Sequence, residues 1–488
     1  MATKIPTEIL IKILKNFQPF SLKQDLYSSL LVNRNWCKVI MPILWELPLG
    51  QENYCTEKTA LCIRTYISCM DTQSRTLLTQ NGFDLSLLLP QPTFDYPSFT
   101  HKFIINNLVY FISIYSQQRI INNCKDSKIL FHEIFKLIIN RCSFLDYFKL
   151  ARYKYSDHND YSDTISSILE LPNASKVFEK LESFIIENYY DGFVCQLCES
   201  LKLICGNILN MNLKLNSYYQ VQLLAKLISV QKRLENISIV ANYFLDHDPL
   251  FWSIVSQKET LKSFRLKKLC YHNSYAEKLL PIGQFTSLQE LYIEDCYGLC
   301  DSDCLSLASS FTQLSSFHYM HSCDRSDRYP QDFIIKILET VNTNLKNLCL
   351  DLFPSITFDV FSAMLNYCTK ITNLTLYQLS LEQLIAIFNN NFNELRRFSF
   401  DCRIDTDELL CQMAKNIPES LETIEIKMYD SWRFSADDLR EIFEGWCFKG
   451  GGENKKIILR SATEVWNFTL SDEHFKVIKE YGVELKLM

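Results

Sequence analysis

The sequence predicts an α/β solenoid preceded by an all-α segment, and three observations predict it. A six-residue frame, apolar-x-x-apolar-x-apolar, starts at Leu181, Ile208, Leu234, Leu261, Leu288, Leu314, Leu345, Ile371, Leu395 and Leu421. Successive starts lie 27, 26, 27, 27, 26, 31, 26, 24 and 26 residues apart, the period of stacked supersecondary units. Between frames the apolar spacing turns helical, so each unit reads as a strand followed by a helix. No unit buries its first, fourth and sixth positions alone, whereas stacking gives them a continuous core. Parallel strands backed by wider helices make a curved array, with strands on the concave face and helices on the convex face.

The all-α segment covers residues 1–48. Pro6 suits the first turn of a helix, where its missing N–H is an orphan anyway, and Ile9, Leu10, Ile13, Leu14 and Phe17 follow at helical spacing. A polar break at Ser21 to Gln24 leads to a second pattern through Leu26, Leu30, Leu31, Asn33 and Trp36. Ile40, Ile43, Leu44 and Trp45 make a third, with Pro42 blurring its boundary. Three helices this short bury little surface and gain from a cover. Docking on another protein and capping the end of the array both fit.

The order Pro6-x-Glu8-Ile9-Leu10-x-x-Ile13-Leu14, then Asp25-Leu26, Val32-Asn33-Arg34-x-Trp36 and Leu44-Trp45 resembles the F-box. That family usually shows Val-Cys-Arg-x-Trp, so Asn33 replaces a cysteine, and Ile5 stands where leucine is common. The connection from Gln18 to Lys23 is also somewhat long. The resemblance implies docking on the Skp-type adaptor of cullin-RING ubiquitin ligases. Its contacts would come from Pro6, Ile9, Leu10, Ile13, Leu14, Leu26, Leu30, Val32, Trp36, Leu44 and Trp45.

Residues 49–141 carry no frame and read as a helical linker zone. Leu87 to Pro97 holds three prolines, which favour extended or turn backbone, and helical patterns resume near Phe103 and from Ile129 to Ile139. The zone is too apolar for a disordered linker and is expected to join the ends rigidly.

The array is expected over residues 142–488, opening at Leu145-Asp146-Tyr147-Phe148-Lys149-Leu150. The step of 36 residues from Leu145 to Leu181 implies an insertion, and the polar run Ser156 to Asp163 suits an exposed loop. A further frame follows the glycines 450–452 at Asn454 with Ile457 and Leu459, and Val483, Leu485 and Leu487 read as a last strand. The stretches with Cys296, Asp301, Cys304, Leu307 and Ala308, and with Ile356, Thr357, Phe361, Met364, Leu365 and Cys368, resemble the cysteine-containing class of leucine-rich repeat. Asp301 and Asp407 are expected to cap helices by accepting N–H bonds.

On each strand the third and fifth frame residues, and the one after the frame, are expected to face solvent. They form a polar surface of both charge signs with scattered aromatics, which suits a protein partner. Its candidate target-binding residues are Arg265, Lys267, Tyr292, Glu294, His318, Tyr377 and Arg397. Arg265, Lys267 and Lys268 cluster one repeat from Glu290 and Glu294, so charge pairing is expected ahead of recognition of a phosphorylated target.

Nothing in the chain assembles a catalytic set. Cys195 and Cys198 have CxxC spacing with Cys205 following, but no second pair supplies the four ligands zinc takes, so helix packing is expected. His318, His321 and Cys323 split between a strand and the turn after it. Gly450 to Gly452 lack the Lys-Ser/Thr of a phosphate loop. A binding protein without metal or cofactor is expected, not an enzyme.

The 50 basic and 56 acidic residues give a net charge of -6, no footprint for nucleic acid. With no apolar signal core near Glu8, the 19 cysteines read as reduced thiols. No run reaches the roughly 20 apolar residues of a membrane span. A cytoplasmic protein is expected, with the nucleus also open.

Together the two segments resemble the F-box/leucine-rich-repeat proteins. That resemblance implies the substrate-recognition subunit of an SCF-type E3 ubiquitin ligase, holding a target protein while other subunits make the bond. The alternative is a stand-alone interaction scaffold.

Overall fold

Frames of the kind read above place one apolar residue ahead of a strand and two within it, all on one side. The computed structural model describes residues 6–16, 23–48, 56–85, 92–118, 124–151, 162–187, 191–241, 248–269, 282–297, 299, 305, 307–321, 329–389, 392–402, 416–428, 435–450, 456–461, 471–481 and 484–487. In it, every first, fourth and sixth position of the ten regular frames is at most 5% exposed.

The chain forms two compact units, Met1–Leu234 and Glu235–Met488. In the first, β1 (Lys102–Ile104), β2 (Tyr147–Ala151), β3 (Ser183–Glu187) and β4 (Asn210–Leu215) pair in chain order, all parallel. The second holds β5 (Asn236–Ala241), β6 (Ser263–Lys267), β7 (Glu290–Glu294), β8 (Ser316–His321), β9 (Asn347–Leu352), β10 (Asn373–Leu379), β11 (Arg397–Cys402), β12 (Thr423–Met428), β13 (Lys456–Ser461) and β14 (Glu484–Leu487) under the same rule. Each unit is therefore a leucine-rich-repeat-like ladder with one strand per repeat.

Register follows the frame positions, and a shift comes only after them, between Leu376 and Leu379 of β10. Phe148, Phe184 and Met211 pair in one row of the first unit. Ile237, Phe264, Leu291, Phe317, Leu348, Leu374, Phe398, Ile424 and Ile457 pair in one row of the second. Within each unit, the carbonyl of a frame's second residue repeatedly accepts the amides of the second and third residues of the next. Glu235 thus takes Lys262 and Ser263, and Lys346 takes Thr372 and Asn373. This device fixes the offset of neighbouring strands and satisfies backbone groups at the strand entrance.

Helices return the chain from strand to strand. In the first unit Tyr218–Ser229 starts where the Ser217 hydroxyl accepts the Gln220 amide at 3.3 Å. In the second, Phe358–Tyr367 starts at Thr357, whose hydroxyl accepts the Val360 amide at 3.5 Å. Asp301, Asp407, Cys323 and Val483 lie outside the described residues, as does most of the polar run from Ser156. Ser162 and Asp163 open the helix Ser162–Leu169 rather than belonging to a loop. Gly450 likewise ends the helix Ala436–Gly450.

One sequence boundary is corrected. The array does not wait for Leu145: β1 lies inside the zone 49–141 and pairs with β2. Its frame is Thr100, Phe103 and Ile105, all buried, with a threonine where an apolar residue was sought. The Thr100 hydroxyl lies 3.2 Å from the Tyr66 hydroxyl, so the polar atom is paired and its burial tolerated. Phe103 and Phe148 stack at 6.2 Å and Phe148 and Phe184 at 6.3 Å, one column through three repeats.

The N-terminal segment folds as α1 (Thr7–Asn16), α2 (Lys23–Leu30) and α3 (Arg34–Trp45). Pro6 precedes the first helix rather than sitting in it, and its carbonyl accepts the Leu10 amide at 3.0 Å. Trp36 belongs to the third helix, not the second, because the Asn33 side chain accepts the amides of Asn35 and Trp36 at 2.9 and 3.0 Å and caps α3. Pro42 is carried inside α3.

Candidate interaction surfaces

Leu10, Leu14, Val39 and Ile40 form the core of the three-helix segment, with Ile11, Leu26, Leu30, Trp36, Ile43 and Leu44 packed against it. The sequence expectation offered Leu10, Leu14, Leu26, Leu30, Trp36 and Leu44 as adaptor contacts; in the fold Leu10 and Leu14 are buried in this core, and Leu26, Leu30, Trp36 and Leu44 are part-buried against it. Apolar periodicity marks a face as buried without saying against what.

Several apolar side chains stay open beside the polar ones. Ile9 and Ile13, one turn apart on α1, are 50% and 45% exposed, and Val32 after α2 is 48% exposed. Pro6 is exposed beside them in sequence. Tyr27 at 53% and Leu31 at 88% join this set, and the sequence did not single them out as contacts. Leu31 fell inside a helical pattern, and only the break of the helix at Leu30 turns it outward. So many large apolar side chains exposed on so small a helical segment make it a candidate interaction surface.

Trp45 does something else. Its ring packs on Tyr66 at 5.8 Å and on Tyr96 at 4.4 Å. Next to it, the Glu46 carbonyl accepts the amides of His101 and Lys102 at 3.1 and 3.0 Å, the same two-amide device that links the repeats. The Glu46 carboxylate pairs with Lys102 at 2.8 Å. The end of α3 thus meets the entrance of β1, and Trp45, also expected as an adaptor contact, packs into that joint.

The open side of the second unit's strands carries the remaining candidates. Arg265, Tyr292 and His318 share one register row on β6, β7 and β8. Lys267 forms an ion pair with Glu294 of the next strand, as charge balance predicted. Arg397 reaches Glu425 at 2.5 Å. Tyr377 is half-buried on β10, where desolvation raises its hydroxyl pKa.

This side is less open than expected at five places. Ser316, Cys349, Ser399, Asp401 and Glu425 are buried, and longer neighbours bond to Ser316, Asp401 and Glu425. His318 Nε2 faces the Ser316 hydroxyl at 3.2 Å, and Arg397 covers Glu425. Asp401 accepts the amide of Gln378, a residue with φ of 58° at the irregular end of β10. Glu290, which the sequence reading did not select, accepts the hydroxyls of Ser263 and Tyr292 at 3.0 and 3.4 Å. Register, which sequence spacing reached only through the frame, is the signal that finds it.

The other sequence candidates are packed. Cys198 and Cys205 are buried, and the Cys205 thiol donates to the Phe178 carbonyl at 3.3 Å, while burial raises its pKa. The side chain of Cys195 lies outside the described residues. His321 is buried against Tyr297, whereas His318 lies on the open side. Among the described residues no helix is long and apolar enough to cross a membrane.

No family model matches the chain, and no curated protein matches it. Among solved structures it is similar to the Toll - Spatzle complex of Drosophila, at 12% identity and a TM-score of 0.28 over 72% of this chain. The chain spans 55% of the length of that one. At that score the fold assignment stands on the strand ladder itself.

Proposed function

We propose that this chain is the substrate-recognition subunit of an SCF-type ubiquitin ligase, with α1 to α3 docking a Skp-type adaptor and the strand face of the array holding a target protein. The observation that carries the reading is the exposure of Ile9, Ile13, Tyr27, Leu31 and Val32 around a small buried core, on a segment whose sequence resembles the F-box. The joint at Trp45 and Glu46 supports it further, since a bridge that brings a target to a distant enzyme works through rigidity. No group on the chain makes or breaks a bond in this scheme, and no cofactor, nucleic acid or membrane takes part.

The same joint favours a second reading, in which the helices only cap a stand-alone interaction scaffold. Coexpression with a Skp-type adaptor separates the two. The wild-type chain is expected to copurify with the adaptor in a one-to-one complex, and Ile9→Asp with Leu31→Asp is expected to abolish it. These positions are exposed, so circular dichroism should be unchanged. Leu10→Ala with Leu14→Ala tests the core instead. A chain that never copurifies, or a double aspartate variant that copurifies normally, leaves the scaffold reading.

A further inference from the structure

Three flat groups lie one on the next across β6, β7 and β8. The Arg265 guanidinium carbon sits 4.2 Å from the centre of the Tyr292 ring, and that ring stacks on the His318 imidazole at 4.3 Å and 26°. The stack is held in place from below: the Tyr292 hydroxyl donates to Glu290, which also accepts from Ser263, and His318 Nε2 faces the Ser316 hydroxyl. Burial, then the charge of Arg265, pushes His318 down to about 4, leaving the imidazole neutral and Arg265 the only charge in the stack near pH 7.

Arg265 is the exposed end. Lys267 is already matched by Glu294, whereas among the described residues no carboxylate pairs with Arg265. A guanidinium seated over a ring spends no N–H donor on it, and its fork of donors matches a carboxylate by two parallel bonds. Glu290 and Glu294 stand on the neighbouring strand, so the local field suits a single negative charge better than the double charge of a phosphate.

We propose that the Arg265, Tyr292 and His318 stack is an anchoring subsite for an aspartate or glutamate side chain of a partner polypeptide lying across the strand face. This rests on the reading of that face as the target-binding surface. Arg265 supplies the contact, and Tyr292 and His318 are positioning residues that hold it in place.

The test uses the full chain without adaptor and a phage-displayed library of random decapeptides. Selected peptides are then synthesised with fluorescein and with glutamate, glutamine or phosphoserine at the selected acidic position, and their anisotropy is titrated. Wild type is expected to enrich aspartate or glutamate at one position and to bind the glutamate peptide about tenfold or more tighter than the glutamine peptide. Arg265→Gln should erase that difference, Tyr292→Leu should reduce it, and Lys267→Gln should keep it. Selection without acid preference, failure to select any peptide, a phosphoserine peptide that binds tightest, or an Arg265→Gln chain that still discriminates would each overturn the assignment. Adaptor copurification of Arg265→Gln, run alongside, should be normal. Loss of acid preference with an intact adaptor complex, or the reverse, shows which of the two inferences fails.

Discussion

Replacing Trp45 by alanine tests the joint between the helical segment and the first strand. The side chain is half-buried, so truncation removes roughly 100 Å² of apolar burial, about 2.5 kcal/mol. Losing the packing on Tyr66 and Tyr96 adds about 1–2 kcal/mol. A local destabilisation of about 3.5–4.5 kcal/mol speeds exchange of amides that depend on the joint by about three powers of ten where local opening limits exchange. Those amides are His101 and Lys102, which donate to Glu46. Hydrogen–deuterium exchange read by mass spectrometry should show them exposed in Trp45→Ala, with protection of β6 to β10 unchanged. Adaptor copurification should survive, because Trp45 faces the array. Unaltered protection of His101 and Lys102 would refute the joint, and loss of the adaptor with intact protection would return Trp45 to the docking surface.

Other outcomes follow from the same packing. Phe264, fully buried in the fourth-position row, should cost about 3–5 kcal/mol on change to alanine; Lys267→Ala should cost less than about 1 kcal/mol, since its ion pair is partly exposed. Urea denaturation should rank them so, and similar midpoints would count against the core. Glu133 is buried and accepts from the Ser74 hydroxyl at 2.5 Å, with His132 Nδ1 at 2.9 Å and Lys136 at 3.3 Å. Burial raises its pKa, but the His132 and Ser74 bonds and the Lys136 charge outweigh that and bring it from 4.5 to about 2. A folded pKa below the unfolded one gives stability that is present above pH 4.5 and fades as the pH falls towards 2. Thermal melts of Glu133→Gln should therefore lose part of the acid slope in that window, and an unchanged slope would contradict the assignment.

The ladder was legible because its signal repeats: Leu261, Phe264 and Leu266 look like Leu421, Ile424 and Ile426, and burial of one face forces the same spacing on each. Thr100 escaped because a hydroxyl at the first position breaks the apolar pattern, and its partner, Tyr66, is 34 residues away. Trp45 and Glu46 escaped for the opposite reason, since they continue a helical pattern and only the amides of His101 and Lys102 reveal their second role. Leu10 and Ile9 are neighbours of similar chemistry, yet one is 1% and the other 50% exposed, a distinction that rests on how α1 lies against α3. Arg265, Tyr292 and His318 were separately visible as exposed candidates. Their union needed the register that sets one above another.

The central claim is that exposed apolar side chains on α1 and at the end of α2 receive an adaptor while the strands of the second unit stay free for a target. Hydrogen–deuterium exchange of the full chain with and without a purified Skp-type adaptor addresses it directly. Slowed exchange is predicted in α1 and at Leu31 and Val32, with β5 to β14 unaffected. Slowing confined to the strands, or no change anywhere, would contradict it.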